Sequence, residues 1–322
     1  MNSKQKSILK ISIPILLSIV AIWYSFSIIP IENLISSFKE ANYTYVLIGA
    51  LLGLLSHLSR AYRWRFQLEP MGYKIKLGNS VMAVFAAYLI NYTIPRAGEV
   101  ARASVLTNYE GIPFEKSFGT IVSERIADMV VMLGIIFVTL LLQFDFIYEK
   151  LSESISLYKI TITAVSIVII VMILTRIIQK GNSKIILKIK SFVNGLLEGV
   201  LSIFKMKKKW LFIFHTLFIW SMYVLMFYVT SFSIPETSDI PFAAILVGFI
   251  LASFSIAATN GGIGSYPLAI YAAFSIFNIP EDPSIAFGWI MWTSQTLMIM
   301  FFGGLSLLYL PFYNRKISKT NF

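Results

Sequence analysis

Apolar runs long enough to cross a lipid bilayer recur along the chain and restrict its fold more than any other feature. A helix needs about 20 mainly apolar residues to cross the hydrocarbon core. Six runs approach or exceed that length: residues 11–29, 43–66, 117–142, 158–178, 210–232 and 286–311. Charged residues make up only 13% of the chain, against roughly 25% in soluble domains. The sequence therefore predicts an all-α polytopic membrane protein forming a single transmembrane domain over residues 1–322.

The distribution of charge predicts which loops face the cytoplasm. Lysine and arginine concentrate in residues 1–10, 60–76, 176–209 and 313–322, and the carboxylates concentrate in the other loops. The positive-inside rule then places both termini in the cytoplasm. We expect a multi-pass protein of a bacterial-type inner (cytoplasmic) membrane. Its net charge of +11 is attributed to basic residues that orient the chain in the membrane and attract anionic lipids. No nucleic-acid partner is predicted.

Two further apolar segments, residues 78–116 and 241–278, are interrupted by polar or glycine-rich breaks. Since the flanking loops are assigned to the two sides of the membrane, segment 78–116 must begin and end on the cytoplasmic side, and segment 241–278 must begin and end on the outside. Each is therefore predicted to be a hairpin of two short helices, either re-entrant or fully crossing. Residues 1–150 and 151–322 are then predicted to form inverted pseudo-repeats, on the basis of topology alone. In transporters built from such repeats, the binding site lies where broken helices meet.

Three smaller features complete the predicted organisation. Residues 31–42, with Glu32, Lys39 and Glu40, are expected to be a short loop. Residues 183–205 carry apolar side chains at helical spacing, which predicts an amphipathic helix in the cytoplasmic interface. That helix would serve equally well as a homo-oligomer contact or as a membrane anchor. For His57 with Arg60, which lie at helical spacing, an interfacial snorkelling role is favoured over a headgroup contact at the cytoplasmic mouth.

Ionisable residues cluster between positions 96 and 128, although charge is costly at membrane depth unless it is paired or wetted. The candidate binding residues there are Arg96, Glu99, Arg102, Glu124, Arg125 and Asp128. Arg96, Glu99 and Arg102 are spaced three apart and can share one helix face, and Glu124 and Asp128, four apart, share another. The cluster fits two interpretations. It is either an anion site, in which the carboxylates pair with the arginines when no anion is bound, or a static buried network of ion pairs.

The second break, residues 259–266, carries no charge. Asn260 precedes the glycines Gly261, Gly262 and Gly264. Successive backbone N–H groups at such a turn can bind an anion. The same glycines are equally typical of a tight hairpin tip that needs positive φ, and both interpretations stay open.

The strings PRAGEVAR, SERIAD and NGGIGSYPLA resemble the lysylphosphatidylglycerol synthase transmembrane-region family, also called flippase-like domain proteins, over essentially the whole chain. The resemblance singles out eleven positions: Pro95, Arg96, Gly98, Glu99, Arg102, Glu124, Arg125, Asp128, Gly261, Gly262 and Gly264. Pro95 and Gly98 are expected to have structural roles at the first break. Asn260 and Pro267 stand where members often have Pro and Glu, which weakens the case for a carboxylate role in the second hairpin.

The resemblance implies movement of a lipid between leaflets. The expected substrates are an anionic phospholipid, a lipid-linked sugar or a polyprenyl phosphate, and no cofactor or metal is predicted. Members that make aminoacylated lipid carry a soluble synthase domain after the membrane part; the sequence contains none, so no synthase activity is expected. Two alternatives stay open: a membrane-embedded transferase using Glu124 or Asp128 as a base or metal ligand, and a non-transporting envelope scaffold.

Overall fold

The computed structural model describes residues 18–94, 97–144 and 206–315, together with Leu16, Met172 and Arg176. Within these residues all regular structure is helical, which confirms the all-α polytopic fold. Ten helices are numbered here in chain order: α1 Ser18–Ile28, α2 Ile31–Glu40, α3 Tyr43–Leu68, α4 Leu77–Thr93, α5 Ala97–Glu110, α6 Phe114–Leu142, α7 Lys209–Ser231, α8 Phe242–Ala258, α9 Ser265–Ser275 and α10 Glu281–Tyr313.

Four of these helices are long and apolar enough to cross a membrane: α3 with the turn that follows it (Tyr43–Met71), α6, α7 and α10. They match the predicted spans 43–66, 117–142, 210–232 and 286–311. The predicted span 158–178 lies almost entirely outside the described residues, and so does the predicted interfacial helix 183–205. The inverted pseudo-repeat therefore stays a prediction.

The segment after the predicted span 11–29 is a helix, so the predicted loop is wrong. Of that span the structure describes Leu16 and α1, and α1 with α2 could form one further, bent span. Helices α1 and α2 meet at an angle of 86° across a two-residue break that contains Pro30. A proline suits the start of a helix but disfavours its interior, because it lacks the N–H of the helical ladder. Leu34 of α2 is buried, whereas Glu32 and Lys39 are exposed. The charges mark the wet face of an amphipathic helix.

Helix α3 has its polar face inside and its apolar face outside. It begins where the Asn42 side chain accepts a hydrogen bond from the Thr44 N–H at 3.1 Å, which satisfies one of the unpaired N–H groups at the helix start. Its exposed face carries Leu47, Leu51, Leu55, Leu58 and Tyr62, as expected for contact with lipid. Its buried face contains its histidine and two of its arginines.

Both predicted hairpins are present, as α4 with α5 and as α8 with α9. At the first break, the Gly98 N–H donates to the Asn91 side-chain oxygen at 2.8 Å. A Cβ at Gly98 would collide with the Ala87 carbonyl oxygen and with the Asn91 amide, so the glycine permits close approach of α5 to α4. This agrees with the structural role predicted for Gly98; Pro95 and Arg96 lie outside the described residues.

The open end of the first hairpin is held by a carboxylate and two amides. Glu110, the last residue of α5, accepts hydrogen bonds from the Lys76 N–H at 3.1 Å and the Asn79 side chain at 2.6 Å. Asn79 also exchanges two side-chain hydrogen bonds with Asn314, at the end of α10. These contacts tie the beginning of α4 to the ends of α5 and α10.

The chain forms two compact units, residues 1–124 with 207–322, and residues 125–206. In the first unit, an apolar core joins the first hairpin to α3 and to the start of α6, with Trp64, Ala83, Leu106 and Ile121 among its buried members. In the second unit, the structure describes the rest of α6 to Phe144, together with Met172 and Arg176.

Candidate functional site

A buried ion pair between α5 and α6 lies at the centre of the candidate site. The Arg102 guanidinium donates to both carboxylate oxygens of Glu124, at 2.6 and 3.2 Å. The two side chains are 3% and 1% exposed. A guanidinium matches a carboxylate with two parallel hydrogen bonds, which gives the pair both strength and a fixed orientation. Arg102 is thus the partner of Glu124 in the structure.

Trp64 of α3 fixes this pair from a second direction. The Arg102 guanidinium carbon lies 3.8 Å from the centre of the Trp64 ring, where the negative face of the indole attracts a cation. The indole N–H donates to the Thr120 hydroxyl on α6 at 2.7 Å. The ring is therefore held in place, and three helices meet at one guanidinium.

Arg63, one residue before Trp64, brings a second buried cation to the same carboxylate. Its Nη2 lies 3.9 Å from a Glu124 oxygen, and its Nη1 donates to the Thr216 hydroxyl of α7 at 2.7 Å. Its guanidinium also lies over the Phe212 ring, 5.1 Å from the ring centre. Glu124 therefore interacts with arginines from α3 and from α5.

Arg60 adds a third buried cation, one turn earlier on α3. Its side chain interacts with the Tyr223 hydroxyl of α7, which also interacts with Tyr88 of α4. His57 lies beside them, with its ring centre 4.6 Å from that of Tyr88 and its Nδ1 3.4 Å from the Tyr223 oxygen. Arg60 is only 3% exposed, so the snorkelling role favoured from the sequence is wrong.

Positive charge exceeds negative charge in this cluster. Among the described residues of the first unit, the buried arginine, lysine and carboxylate side chains are Arg60, Arg63, Arg102 and Glu124. Glu99, one turn before Arg102, is half-buried, and counting it still leaves three cations against two anions. We refer to Arg60, Arg63 and Arg102 as the arginine cluster.

Two other predicted site residues belong to the second unit. Arg125 and Asp128 approach each other at 3.9 Å along one face of α6. Asp128 is buried, but the Arg125 side chain is 46% exposed. Glu124 and Asp128 are both buried, as their four-residue spacing predicted, whereas Arg125 points away from the buried face.

At the second break, the three glycines have the backbone conformation that their sequence predicted. Gly261, Gly262 and Gly264 have φ of +67°, +77° and +72°, a region that other residues adopt only at a cost. Gly264 also lies so close to α1 that a Cβ would stand 2.5 Å from the Ile22 nitrogen. The positive φ that a tight tip requires is therefore present, and anion binding by the N–H groups stays a prediction.

The second break contacts the end of the helix that precedes the first break. The Asn260 amide nitrogen donates to the Tyr92 carbonyl of α4 at 2.7 Å. Trp292 of α10 donates its indole N–H to the Gly261 carbonyl at 2.8 Å, and the Tyr92 and Thr296 hydroxyls are 3.1 Å apart. The tip of the second hairpin thus packs beside the last turn of α4.

Arg63, Trp64, Tyr88 and Tyr223 join the site without having been predicted from the sequence. A signal was present on α3, because His57, Arg60 and Trp64 recur at three- and four-residue spacing opposite the leucines of the exposed face. The positive-inside rule instead assigned Arg60 and Arg63 to the cytoplasmic interface. The rule counts positive charges and does not consider which face of the helix carries them.

Comparison with known proteins agrees with the motifs at this site. Residues 11–304 match the lysylphosphatidylglycerol synthase transmembrane-region family. A UPF0104 membrane protein of Methanocaldococcus jannaschii is 26% identical over 87% of this chain and 88% of its own length. The glycosyltransferase AglD of Haloferax volcanii is 29% identical over 38% of this chain but only 20% of its own length. The chain belongs to the lysylphosphatidylglycerol synthase transmembrane-region family.

Proposed function

We propose that this protein moves an anionic membrane lipid between leaflets, with the phosphate of the headgroup held by the arginine cluster. The observation that carries the proposal is the excess of buried positive charge around Glu124. Within membrane segments, ionisable side chains typically mark a substrate or ion pathway. A family named for a lipid synthase supports a lipid substrate.

The chemistry of the cluster favours phosphate. Guanidinium groups bind phosphate oxygens with the same paired geometry that Arg102 uses towards Glu124. Glu124 would hold Arg102 and Arg63 when no lipid is bound, because a buried cation without a counter-charge is strongly destabilising. An arriving phosphate would take over part of that role. Release of the lipid would return the arginines to Glu124.

The packing of the cluster supports a role in binding over a role in catalysis. Both Glu124 oxygens accept hydrogen bonds from Arg102, an arrangement that orients the arginine and leaves the carboxylate poorly placed to remove a proton from a substrate. AglD is named a glycosyltransferase, but the match covers one fifth of that protein. Transferase activity is therefore not part of the proposal.

The phosphate is common to the three substrate types expected from the sequence: phospholipids, lipid-linked sugars and polyprenyl phosphates. In each, the proposal places the headgroup at the arginine cluster and leaves the apolar tail in the bilayer. We propose that exchange runs down the lipid gradient or is coupled to an ion gradient.

Lipid exchange in vesicles tests the proposal. Purified protein is reconstituted with a fluorescent phosphatidylglycerol, and the outer leaflet is quenched by a reductant that does not cross the bilayer. We expect the wild type to expose the inner-leaflet label faster than empty vesicles do. Phosphatidylcholine, whose choline neutralises the headgroup, should exchange more slowly.

The matched variants are Arg60→Gln and Arg65→Gln, which remove the same charge from adjacent turns of α3. Arg60 is buried in the cluster, whereas Arg65 is partly exposed and lies over Tyr62. Arg60→Gln should slow exchange of the anionic lipid and Arg65→Gln should not. Equal rates for all three proteins, or for vesicles with and without protein, would refute the proposal.

A further inference from the structure

The chain contains two histidines, and both lie between α3 and α7. His57 of α3 has its Nδ1 3.4 Å from the Tyr223 hydroxyl oxygen of α7. His215 of α7 has its Nδ1 2.8 Å from the Ser59 hydroxyl oxygen of α3. Histidine is the side chain that normally changes charge between about pH 5 and 8. The helix pair that holds two members of the arginine cluster therefore also holds both histidines.

The two histidine rings differ in their access to water. The His57 ring is 4.6 Å from the Tyr88 ring, 5.7 Å from the Phe85 ring and 5.9 Å from the Tyr223 ring, measured between ring centres. The residue is only 5% exposed. A proton on His57 would be enclosed by three rings, with the Arg60 cation one turn along the helix, and a buried charge of that kind is costly. His57 is therefore interpreted as a packing residue.

His215 is half-buried and lies near the basic end of α7. Its Cα is about 9 Å along the helix axis from the first residue of α7. The side chains of α3 that face its ring are Ser59, Tyr62 and Phe66. Among the described residues, the charged group that acts on the ring is Arg63. His215 is therefore the histidine that is placed to exchange a proton with water at the end of α7.

Adjacent residues of α7 connect the His215 ring to the arginine cluster. Thr216, which follows His215, accepts a hydrogen bond from Arg63 Nη1 at 2.7 Å. The other terminal nitrogen of Arg63 lies 3.9 Å from a Glu124 oxygen. A proton on His215 would repel the guanidinium on its Thr216 side and favour its approach to an anion on its Glu124 side. Two cations beside an anion site also attract the anion more strongly than one cation does.

We infer that His215 takes up a proton when the arginine cluster binds the lipid phosphate, so that the lipid and a proton move together. The inference rests on the proposed function, because the phosphate supplies the negative charge that stabilises the added cation. The coupling is reciprocal, since a proton that is bound more tightly with the anion present strengthens anion binding by the same factor. The proton comes from water at the end of α7 and returns to water when the phosphate leaves. The ion gradient that drives exchange is then a proton gradient.

Binding of phosphatidylglycerol at two pH values tests this coupling. The protein is placed in phosphatidylcholine nanodiscs and titrated with fluorescent phosphatidylglycerol. A phosphodiester lacks the second ionisation of a phosphate monoester, so the charge of this headgroup stays constant. We expect the wild type to bind it at least about fivefold more tightly at about pH 5.5 than at about pH 8. Phosphatidylcholine with the same label should bind more weakly at both pH values.

Two substitutions at position 215 fix the charge in opposite senses. His215→Gln keeps a polar side chain that stays neutral, and His215→Lys introduces one that is normally charged throughout this pH range. We expect His215→Gln to bind phosphatidylglycerol at both pH values with the weaker affinity of the wild type at about pH 8. His215→Lys should bind it at both pH values with the tighter affinity that the wild type has in acid. A misfolded variant would match the wild type at neither pH.

Proton uptake can be measured on the unmodified protein. Short-chain phosphatidylglycerol is added to the wild type in weakly buffered detergent solution that contains a pH indicator, at about pH 7. We expect the pH to rise, with up to about one proton taken up for each lipid bound. Short-chain phosphatidylcholine should leave the pH unchanged. Phosphatidylglycerol that binds without proton uptake would overturn the inference.

The binding results separate failure of the inference from failure of the proposed function. If the wild type binds phosphatidylglycerol equally at the two pH values and phosphatidylcholine more weakly, the inference is wrong and the proposed function stands. A pH dependence that persists in both His215 variants assigns the proton to another group and also overturns the inference. Equal binding of the two lipids by the wild type contradicts the proposed function itself, and the inference fails with it.

Discussion

The arginine cluster and the glycine break place polar groups in a largely apolar protein by different physical means. The cluster uses side-chain charge, with three buried guanidiniums around one carboxylate. The break uses backbone: three glycines have positive φ, the Gly261 carbonyl accepts from Trp292, and the Asn260 side chain donates to the Tyr92 carbonyl of α4. One region depends on pairing of ions and the other on shape and neutral hydrogen bonds.

This difference teaches where each region is sensitive to substitution. A buried ion pair is strongly destabilised when one partner is removed, because the other charge stays buried. A glycine turn tolerates changes of charge nearby but not an added carbon at a position with positive φ. Substitutions should therefore affect the two regions through different mechanisms.

The largest effect is expected for Glu124→Ala. Loss of the carboxylate leaves Arg102 and Arg63 buried beside each other, which should lower the free energy of unfolding by about 3–5 kcal/mol. Glu69→Ala is the control, because Glu69 pairs with Lys208 at 2.8 Å on the surface, where both side chains are more than 40% exposed. Detergent-titration unfolding should leave that control near the wild type; similar losses for both variants would show that burial does not set the cost.

A smaller loss is expected for Gly264→Ala. The backbone at Gly264, with φ +72° and ψ −37°, lies in a sparsely populated region that costs an alanine at least about 1 kcal/mol. The collision with the Ile22 nitrogen adds roughly 1–3 kcal/mol, as in an overpacked core. Gly72→Ala shares the positive φ, +87°, but its Cβ would meet no described atom within 4 Å. The thermal unfolding midpoint should therefore fall further for Gly264→Ala. Equal shifts would mean that α1 does not constrain the tip.

The smallest effect is expected for Trp64→Phe, which tests how the Trp64 ring is held in place. Trp64→Phe keeps a ring beneath Arg102 but removes the N–H that binds Thr120. In a double-mutant cycle with Thr120→Val, we expect a coupling energy of about 1 kcal/mol. Ser123→Ala is the control partner, because its hydroxyl bonds within its own helix. Additive effects of Trp64→Phe and Thr120→Val would show that the indole is held by packing alone.

The sequence predicted helices and breaks more reliably than it predicted which helix faces lie inside. Apolar length alone identified α3, α6, α7 and α10, because the bilayer sets the length of a span. The glycines predicted the conformation of the second tip, since few other residues adopt positive φ. Arg102 and Glu124 were recognised because their charges interrupt apolar helices.

Other features depend on tertiary packing that no local pattern specifies. Arg60 and Arg63 stand at a basic helix end, so their charge indicated the cytoplasmic interface, yet the rotation of α3 against α7 buries both. Helix α2 was missed because its charges resemble a loop until the buried Leu34 shows that it is amphipathic. The buried amide nitrogen of Gln295 finds no acceptor within the described residues, which no sequence pattern indicated.

The most direct test of the central claim is native mass spectrometry of the gently purified protein with its co-purifying lipids. The wild type, Arg60→Gln and Arg65→Gln should be compared at equal activation energy. The account predicts that the wild type and Arg65→Gln retain a defined anionic lipid and that Arg60→Gln, folded to the same extent, loses it. If all three carry the same bulk phospholipids in the same amounts, the arginine cluster is a structural ion network and the transport proposal is wrong.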